Sequence, residues 1–224
     1  ESKVLFVLHT IGSHGPYGMR YPRRLARFPA DPQIANDAMF RMSMGATASP
    51  EELELIQNTY DNTICATDFL LANLIHDLKQ LKASTWLYYV SDHGENTSTA
   101  RFGKFMHGTI TRQVVEIPML MWLSPAYEQE HPDKAAALKA NLNTPFSASC
   151  TFHTLLDMGG LSCPDFKKEW STASPHFAPG PRLVCDANGF ILDYDEKFPP
   201  QKAASQVPPA TDAARNIAAG AARP

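Results

Sequence analysis

The chain has 224 residues, 44% of them hydrophobic and 19% charged, with a formal net charge of -3 and a pI near 6.2. That length suits one ordinary domain with a sizeable core, and the composition is globular rather than fibrous or disordered. The charge balance provides no global field to draw nucleic acid or an anionic membrane. No apolar run approaches the roughly 20 residues of a membrane span, and Glu1-Ser2-Lys3 has neither the basic start nor the apolar stretch of a signal peptide.

In chain order, Val4 to Leu8 is a continuous apolar run, the pattern of a strand buried on both faces. A Gly- and Pro-rich loop from Thr10 to Pro22 follows, then an irregular stretch to about Ala48. Ser49-Pro50-Glu51-Glu52 is a helix start, with Ser49 as cap, Pro50 in the first turn and Glu52 three residues past the cap. Leu53, Ile56, Tyr60, Ile64, Thr67, Leu71, Leu74 and Leu78 recur at helical spacing, predicting one long helix to about Leu81 with this stripe buried. Asp61 and Asn62 are expected at its polar edge.

Trp86 to Val90 reads as a second buried strand and Ile117 to Leu123 as a third, with a polar loop between them from Asp92 to about Gln113. Helical stretches follow around Asp133 to Leu142 and Ser147 to Met158, the latter stopped by Gly159-Gly160. Arg182 to Cys185 and Phe190 to Tyr194 flank Asp186-Ala187-Asn188-Gly189 as a hairpin. From Lys197 the composition shifts to Ala, Pro and Gln, so the reading is one folded domain over 1–196 and a mobile tail over 197–224. Strands alternating with helices indicate an α/β fold, a mostly parallel sheet flanked by helices.

The cysteines are Cys65, Cys150, Cys163 and Cys185. None forms a CxxC pair, which argues against a zinc knuckle. Cys65 lies in a helical pattern and reads as a buried thiol. Cys163 and Cys185 flank loop-rich sequence and could bridge in an oxidising compartment, though their spacing does not compel it.

Open α/β sheets bind ligands beyond the carboxyl ends of their strands, and two of the three strands end in polar clusters. The first leads into His9-Thr10-Ile11-Gly12-Ser13-His14-Gly15-Pro16; the second ends Ser91-Asp92-His93-Gly94-Glu95, with Met106-His107-Gly108 in the loop beyond. Adjacent Asp92 and His93 offer oxygen and nitrogen donors of the kind zinc accepts. The glycines after His14 and His107 let the backbone turn sharply towards a cleft. A single Asp-His pair is more often an ordinary loop feature; it is the recurrence at successive strand ends that points to a site. His76, His131, His153 and His176 lie in helical patterns or beside prolines and read as structural or solvent-facing.

Val7 to Pro16 with Arg20-Tyr21-Pro22, Asn58 to Ile64 with Asp68, Tyr89 to Glu95, Met106-His107-Gly108 and Pro118 to Ser124 together resemble, in order, blocks of the bacterial phosphoethanolamine transferases. These enzymes belong to the alkaline phosphatase/sulfatase superfamily, and the resemblance spans about Val4 to Ser124. It implies an alkaline phosphatase/sulfatase-like fold whose N-terminal part lies upstream of this chain. It further implies that Asp92 and His93 are zinc ligands, while His14 and His107 contact the phosphoryl group or help hold a second metal. The family moves phosphoethanolamine from phosphatidylethanolamine to lipid A or another envelope glycan through a phosphothreonine.

No threonine here matches the nucleophile motif, so the nucleophile is unknown within this chain and is expected upstream, and this piece alone is expected to be inactive. The implied location is the periplasmic domain of an inner-membrane protein, anchored by a segment not in this chain. Residues 96–103 depart from the family's pattern after the Asp-His pair, and the stretch between Pro22 and Asn58 lacks the family's cysteines. The alternatives are a sulfatase, a lipoteichoic-acid-type phosphoglycerol transferase on the same fold, and a non-catalytic metal-binding remnant.

Overall fold

The computed structural model describes residues 3–97, 106–186 and 188–199. Trp86–Val90 and Met119–Leu123 form β1 and β2. They pair antiparallel, Trp86 opposite Leu123 and Val90 opposite Met119, so the two ends of the loop 91–118 are held side by side. The α/β alternation stands, but the sheet expected to be mostly parallel is, among the described residues, two antiparallel pairs. A parallel pair needs a crossover of a dozen or more residues, usually a helix. The only described helix between β1 and β2 is α3, Arg112–Val115, four residues long.

Val4 to Leu8 is not a strand. Its side chains are 62% to 81% exposed, and no described strand pairs with it. Strand propensity expresses packing against neighbours, and this run has none on either edge among the described residues.

Two helices account for most of the first core. Pro32–Ser43 is α1, a helix inside the stretch expected to be irregular, and Pro50–Gln80 is α2. Asp31 accepts hydrogen bonds from the amides of Gln33 and Ile34 at 3.0 and 3.1 Å, and Pro32 opens the first turn. At α2, Ser49 and Glu52 form the expected capping box, Glu52 N donating to Ser49 Oγ at 3.2 Å and Ser49 N to Glu52 Oε2 at 2.8 Å. Ala35, Ala38 and Met39 of α1 pack on Ile56 of α2 and on Tyr17.

The buried face of α2 is Ile56, Thr59, Asn62 and Thr63, confined to its first half. Leu71, Leu74 and Leu78 are only half-buried and Ile64 is exposed. The stripe expected to be core over the whole helix therefore is not, because no described element covers its second half, and truncating Leu71 is not a core truncation.

Asn62 also departs from expectation. It is fully buried. Its Oδ1 accepts from Arg27 N at 2.7 Å and Phe28 N at 2.9 Å, while its Nδ2 donates to Phe28 O at 3.0 Å. One side-chain amide thus stands in for a strand neighbour and ties the loop before α1 to α2.

A second cluster joins Tyr127, Met158 and Ala173 with Trp86, Met121, Leu123 and Leu138. It is built from the strand pair, from α4 (Pro125–Glu130) and α5 (Pro132–Ala140), and from α6 (Cys150–Gly159). Gly160 ends α6 in the left-handed conformation, φ +61°. Leu183–Cys185 and Ile191–Asp193, β3 and β4, form the expected antiparallel hairpin. Beyond it, α7 (Tyr194–Lys197) packs near Arg112, whose guanidinium donates to the carbonyls of Phe198 and Pro199 at 3.0 and 3.1 Å. Residues 197–199, assigned by composition to the tail, are thus held; 200–224 lie outside the described residues. All four cysteines are free, Cys163 and Cys185 among them, both exposed.

Asn62→Ala should break three hydrogen bonds to the backbone of Arg27 and Phe28 at once. The expected cost is about 3 kcal/mol, read by urea unfolding of a protein containing this chain; a change below about 0.5 kcal/mol would contradict the role given to Asn62.

Candidate metal centre

Three segments converge. The first is the loop 9–16, braced by Arg20, whose Nε donates to His14 O at 2.8 Å and whose guanidinium donates to Gly15 O at 3.1 Å. The second is the turn leaving β1, residues 91–95. The third returns through an antiparallel bridge in which Asn96 and Met106 exchange backbone bonds of 3.2 and 3.0 Å. That bridge brings His107 back beside Glu95.

The ring of His107 lies near those of both His14 and His93, with centroids 5.6 Å and 4.3 Å away. His14 Nδ1 is 2.7 Å from Gly15 O, and His93 Nδ1 is 2.9 Å from Gly94 O. A carbonyl oxygen can only accept, so Nδ1 donates in both rings and Nε2 is the nitrogen left open to the site. His107 Nδ1 is 2.9 Å from Glu95 Oε1. That is hydrogen-bond distance, the arrangement in which a carboxylate orients a ligating or catalytic histidine.

His93, Glu95 and His107 each offer a donor atom, all within 4.8 Å of one another. Two imidazoles and a carboxylate suit zinc chemically. The Glu95 side chain is only 4% exposed, and its Oε2 is buried with no hydrogen-bond partner. A buried anionic oxygen left bare is costly, so this donor set fits a cation. Asp92 stands at the rim, its side chain 85% exposed, with Oδ2 3.7 Å from His93 Nε2 and Oδ1 accepting from His93 N at 2.9 Å.

Of the residues singled out in the sequence, Asp92, His93, His107 and His14 are thus brought together, whereas His9 stays exposed on its loop. His153 is a buried core histidine, its Nδ1 accepting from Lys167 N at 3.1 Å. Glu95 and Arg20 carry parts of the arrangement that sequence reasoning did not assign. The available signal for Glu95 was its place two residues beyond His93, on the chain emerging from the same strand. Residues 98–105 of the intervening loop lie outside the described residues.

The glycine that the site requires is Gly94. Its N–H donates to Val114 O at 2.7 Å, and a Cβ there would fall 2.1 Å from Gln113 O. Only a residue without Cβ lets the turn press so closely on the backbone before β2. Gly108 needs no such freedom: its φ is unexceptional and a Cβ added to it would meet nothing within 4 Å, while the left-handed residue in that turn is Met106, φ +62°.

Residues 1–161 match the family model for sulfatases. Among curated proteins, the chain is 36% identical over 165 residues to phosphoethanolamine transferase EptA of Salmonella typhimurium, covering 70% of this chain and 28% of that protein. It is 27% identical over 174 residues to the Kdo(2)-lipid A phosphoethanolamine 7''-transferase of Escherichia coli, covering 74% and 28%. The crystal structure of the C-terminal periplasmic domain of EptC from Escherichia coli superposes with a TM-score of 0.64 at 27% identity, covering 84% of this chain and 51% of that one. Its complex with Zn gives 0.62 at the same identity, covering 82% and 49%. The chain therefore spans under a third of the length of these curated relatives and about half of the solved domain.

Gly94→Ala should weaken divalent-metal affinity by at least about tenfold, because it displaces His93 and Glu95 together. Gly108→Ala should stay within about twofold, since its Cβ enters open space. Calorimetric zinc titration of the longer protein separates the two, and equal effects would contradict the close approach at Gly94.

Proposed function

The chain belongs to the sulfatase family, and we propose that it is the metal-bearing part of a phosphoethanolamine transferase. The observation that carries the reading is the cluster of three imidazoles, two with Nδ1 tied to a backbone carbonyl, beside the Asp92–His93 pair. A phosphoryl group in transfer spreads negative charge over its oxygens, and catalysis consists largely of positioning it and stabilising that charge. In this reading Asp92 and His93 hold a zinc ion. When bound, zinc supplies a Lewis acid that neutralises phosphoryl charge and lowers the pKa of an attacking hydroxyl.

His107, held by Glu95, and His14, held by the carbonyl of Gly15, present imidazole nitrogens to the phosphoryl oxygens or to the proton in transit. A second cation beside Glu95, His93 and His107 is compatible with the same donor set. The covalent carrier is placed on a threonine in an upstream part of the longer protein, forming a phosphothreonine intermediate.

The donor in this proposal is phosphatidylethanolamine. The acceptor is lipid A or another envelope glycan, which the name of the Escherichia coli relative supports. The site is placed in the periplasm, a reading supported by the likeness to the periplasmic domain of EptC. Attachment to the membrane is placed in another segment, since no helix among the described residues is long and apolar enough to cross a membrane.

Transfer from a fluorescent phosphatidylethanolamine analogue tests this. The longer protein should turn over, lose activity with chelator and regain it with zinc. His93→Ala should lower the rate at least about a hundredfold. The 224-residue chain alone should be inert. Chelator-insensitive turnover would contradict the zinc mechanism, and robust turnover by the chain alone would contradict the upstream nucleophile.

A further inference from the structure

Tyr17 lies in the first core with no exposed surface. Its hydroxyl is buried and makes no hydrogen bond, an uncommon state for a phenol in a protein interior. Gly15 fixes where this ring sits: the position of a Cβ on Gly15 would be 3.9 Å from Tyr17 Cε1 and 3.2 Å from the side chain of Met106. The ring therefore lies against Gly15, the residue after His14, on the face that the side chain of Met106, the residue before His107, also approaches. Tyr60 of α2 packs edge-on against it, centroids 5.1 Å apart.

The polar group nearest in character to that hydroxyl is the Glu95 carboxylate. Burial first, and then the Glu95 charge, push the Tyr17 hydroxyl far above the ordinary tyrosine range; the same two causes, in the same order, raise Tyr60. Glu95 Oε1 is engaged by His107 Nδ1 at 2.9 Å, whereas Oε2 is buried without a partner. Tyr17 Oη and Glu95 Oε2 are thus both buried polar atoms without a hydrogen-bond partner.

We propose that Tyr17 is a positioning residue for the reaction, donating its hydroxyl proton in a hydrogen bond to Glu95 so that the carboxylate holds His107 in a single tautomer. The chain of command is Tyr17 to Glu95 to His107. A phenol donates through its one O–H, and that bond fixes the carboxylate as acceptor on both oxygens. His107 then keeps its proton on Nδ1 and presents Nε2. Neither Tyr17 nor Tyr60 touches the reacting groups, so neither is a catalytic residue. The proposal rests on the transferase reading for its kinetic consequence, while its structural content is independent of that reading.

The test is a double-mutant cycle in the longer enzyme, with Tyr17→Phe, Glu95→Gln and the pair. Tyr17→Phe keeps the ring and should lower kcat about tenfold with KM unchanged. In the Glu95→Gln background the same change should cost less than about twofold, because the route through Glu95 is already broken. Effects that multiply would overturn the proposal, since a purely structural tyrosine acts independently of Glu95. Incorporation of 3-fluorotyrosine at position 17 keeps the hydroxyl and should retain near-wild-type kcat; a loss as deep as that of Tyr17→Phe would also overturn it. Nitrogen-15 NMR of the His107 ring reads the tautomer without any turnover. The expected result is one Nδ1–H tautomer in the wild type and a mixture in Tyr17→Phe, and identical spectra would refute the proposal even if the protein transferred no phosphoethanolamine at all.

Discussion

Removing a carboxylate from water costs several kcal/mol unless charge or hydrogen bonds replace the lost hydration. Glu95 is in that position, with 4% of its side chain exposed and His107 Nδ1 2.9 Å from one of its oxygens. The rest of the centre follows from meeting this demand. His107 is drawn back to Glu95 through the bridge between Asn96 and Met106. The tilted ring of His93 lies 4.3 Å from that of His107, and the ring of His14 lies 5.6 Å from it. A cation placed among these donors would relieve the same deficit, so burial and metal binding are two expressions of one electrostatic requirement.

The second requirement is mechanical. Because Val90 pairs with Met119, the loop that carries Asp92, His93, Glu95 and His107 starts and ends at one place on the molecule. Gly94 then lets the outgoing turn touch the incoming backbone at Gln113 and Val114. Behind it, Thr97 is buried and donates to Gln57 of α2, whose amide in turn donates to Asp61 at 2.8 Å. The block Asn58 to Ile64, which the sequence marks as a stretch of helix, therefore borders the residues that back the metal centre. Its Asn62 holds the loop before α1 rather than facing solvent.

What could be read from sequence follows the range of the interactions involved. The capping box at Ser49, the glycine stop after α6 and the hairpin around Asp186 are local, and each appears at its expected place. Asp92 and His93 stand out in the sequence because their motif directly follows β1, whereas the run before His14 forms no strand, and His14 and His107 stand out only through their His-Gly pairs. Strand direction was not legible, since the apolar runs of β1 and β2 look alike in parallel and antiparallel pairs. Val4 to Leu8 carries a clear strand pattern and still forms none, because a strand depends on neighbours that a single segment does not encode. Helix α1 was missed although Asp31-Pro32 is a good start, its apolar positions being mostly alanine and methionine. Glu95 escaped for a related reason: its importance lies in its burial, and burial is a property of the packed loop.

The central claim is that Asp92 and His93, with His107 and His14 alongside, enclose one metal position. Anomalous scattering at the zinc edge from crystals of the longer enzyme locates that ion directly. The expected result is a peak about 2 Å from a carboxylate oxygen of Asp92 and from His93 Nε2, with His14 and His107 facing it. A zinc peak bound elsewhere, with these four residues free of it, would contradict the claim.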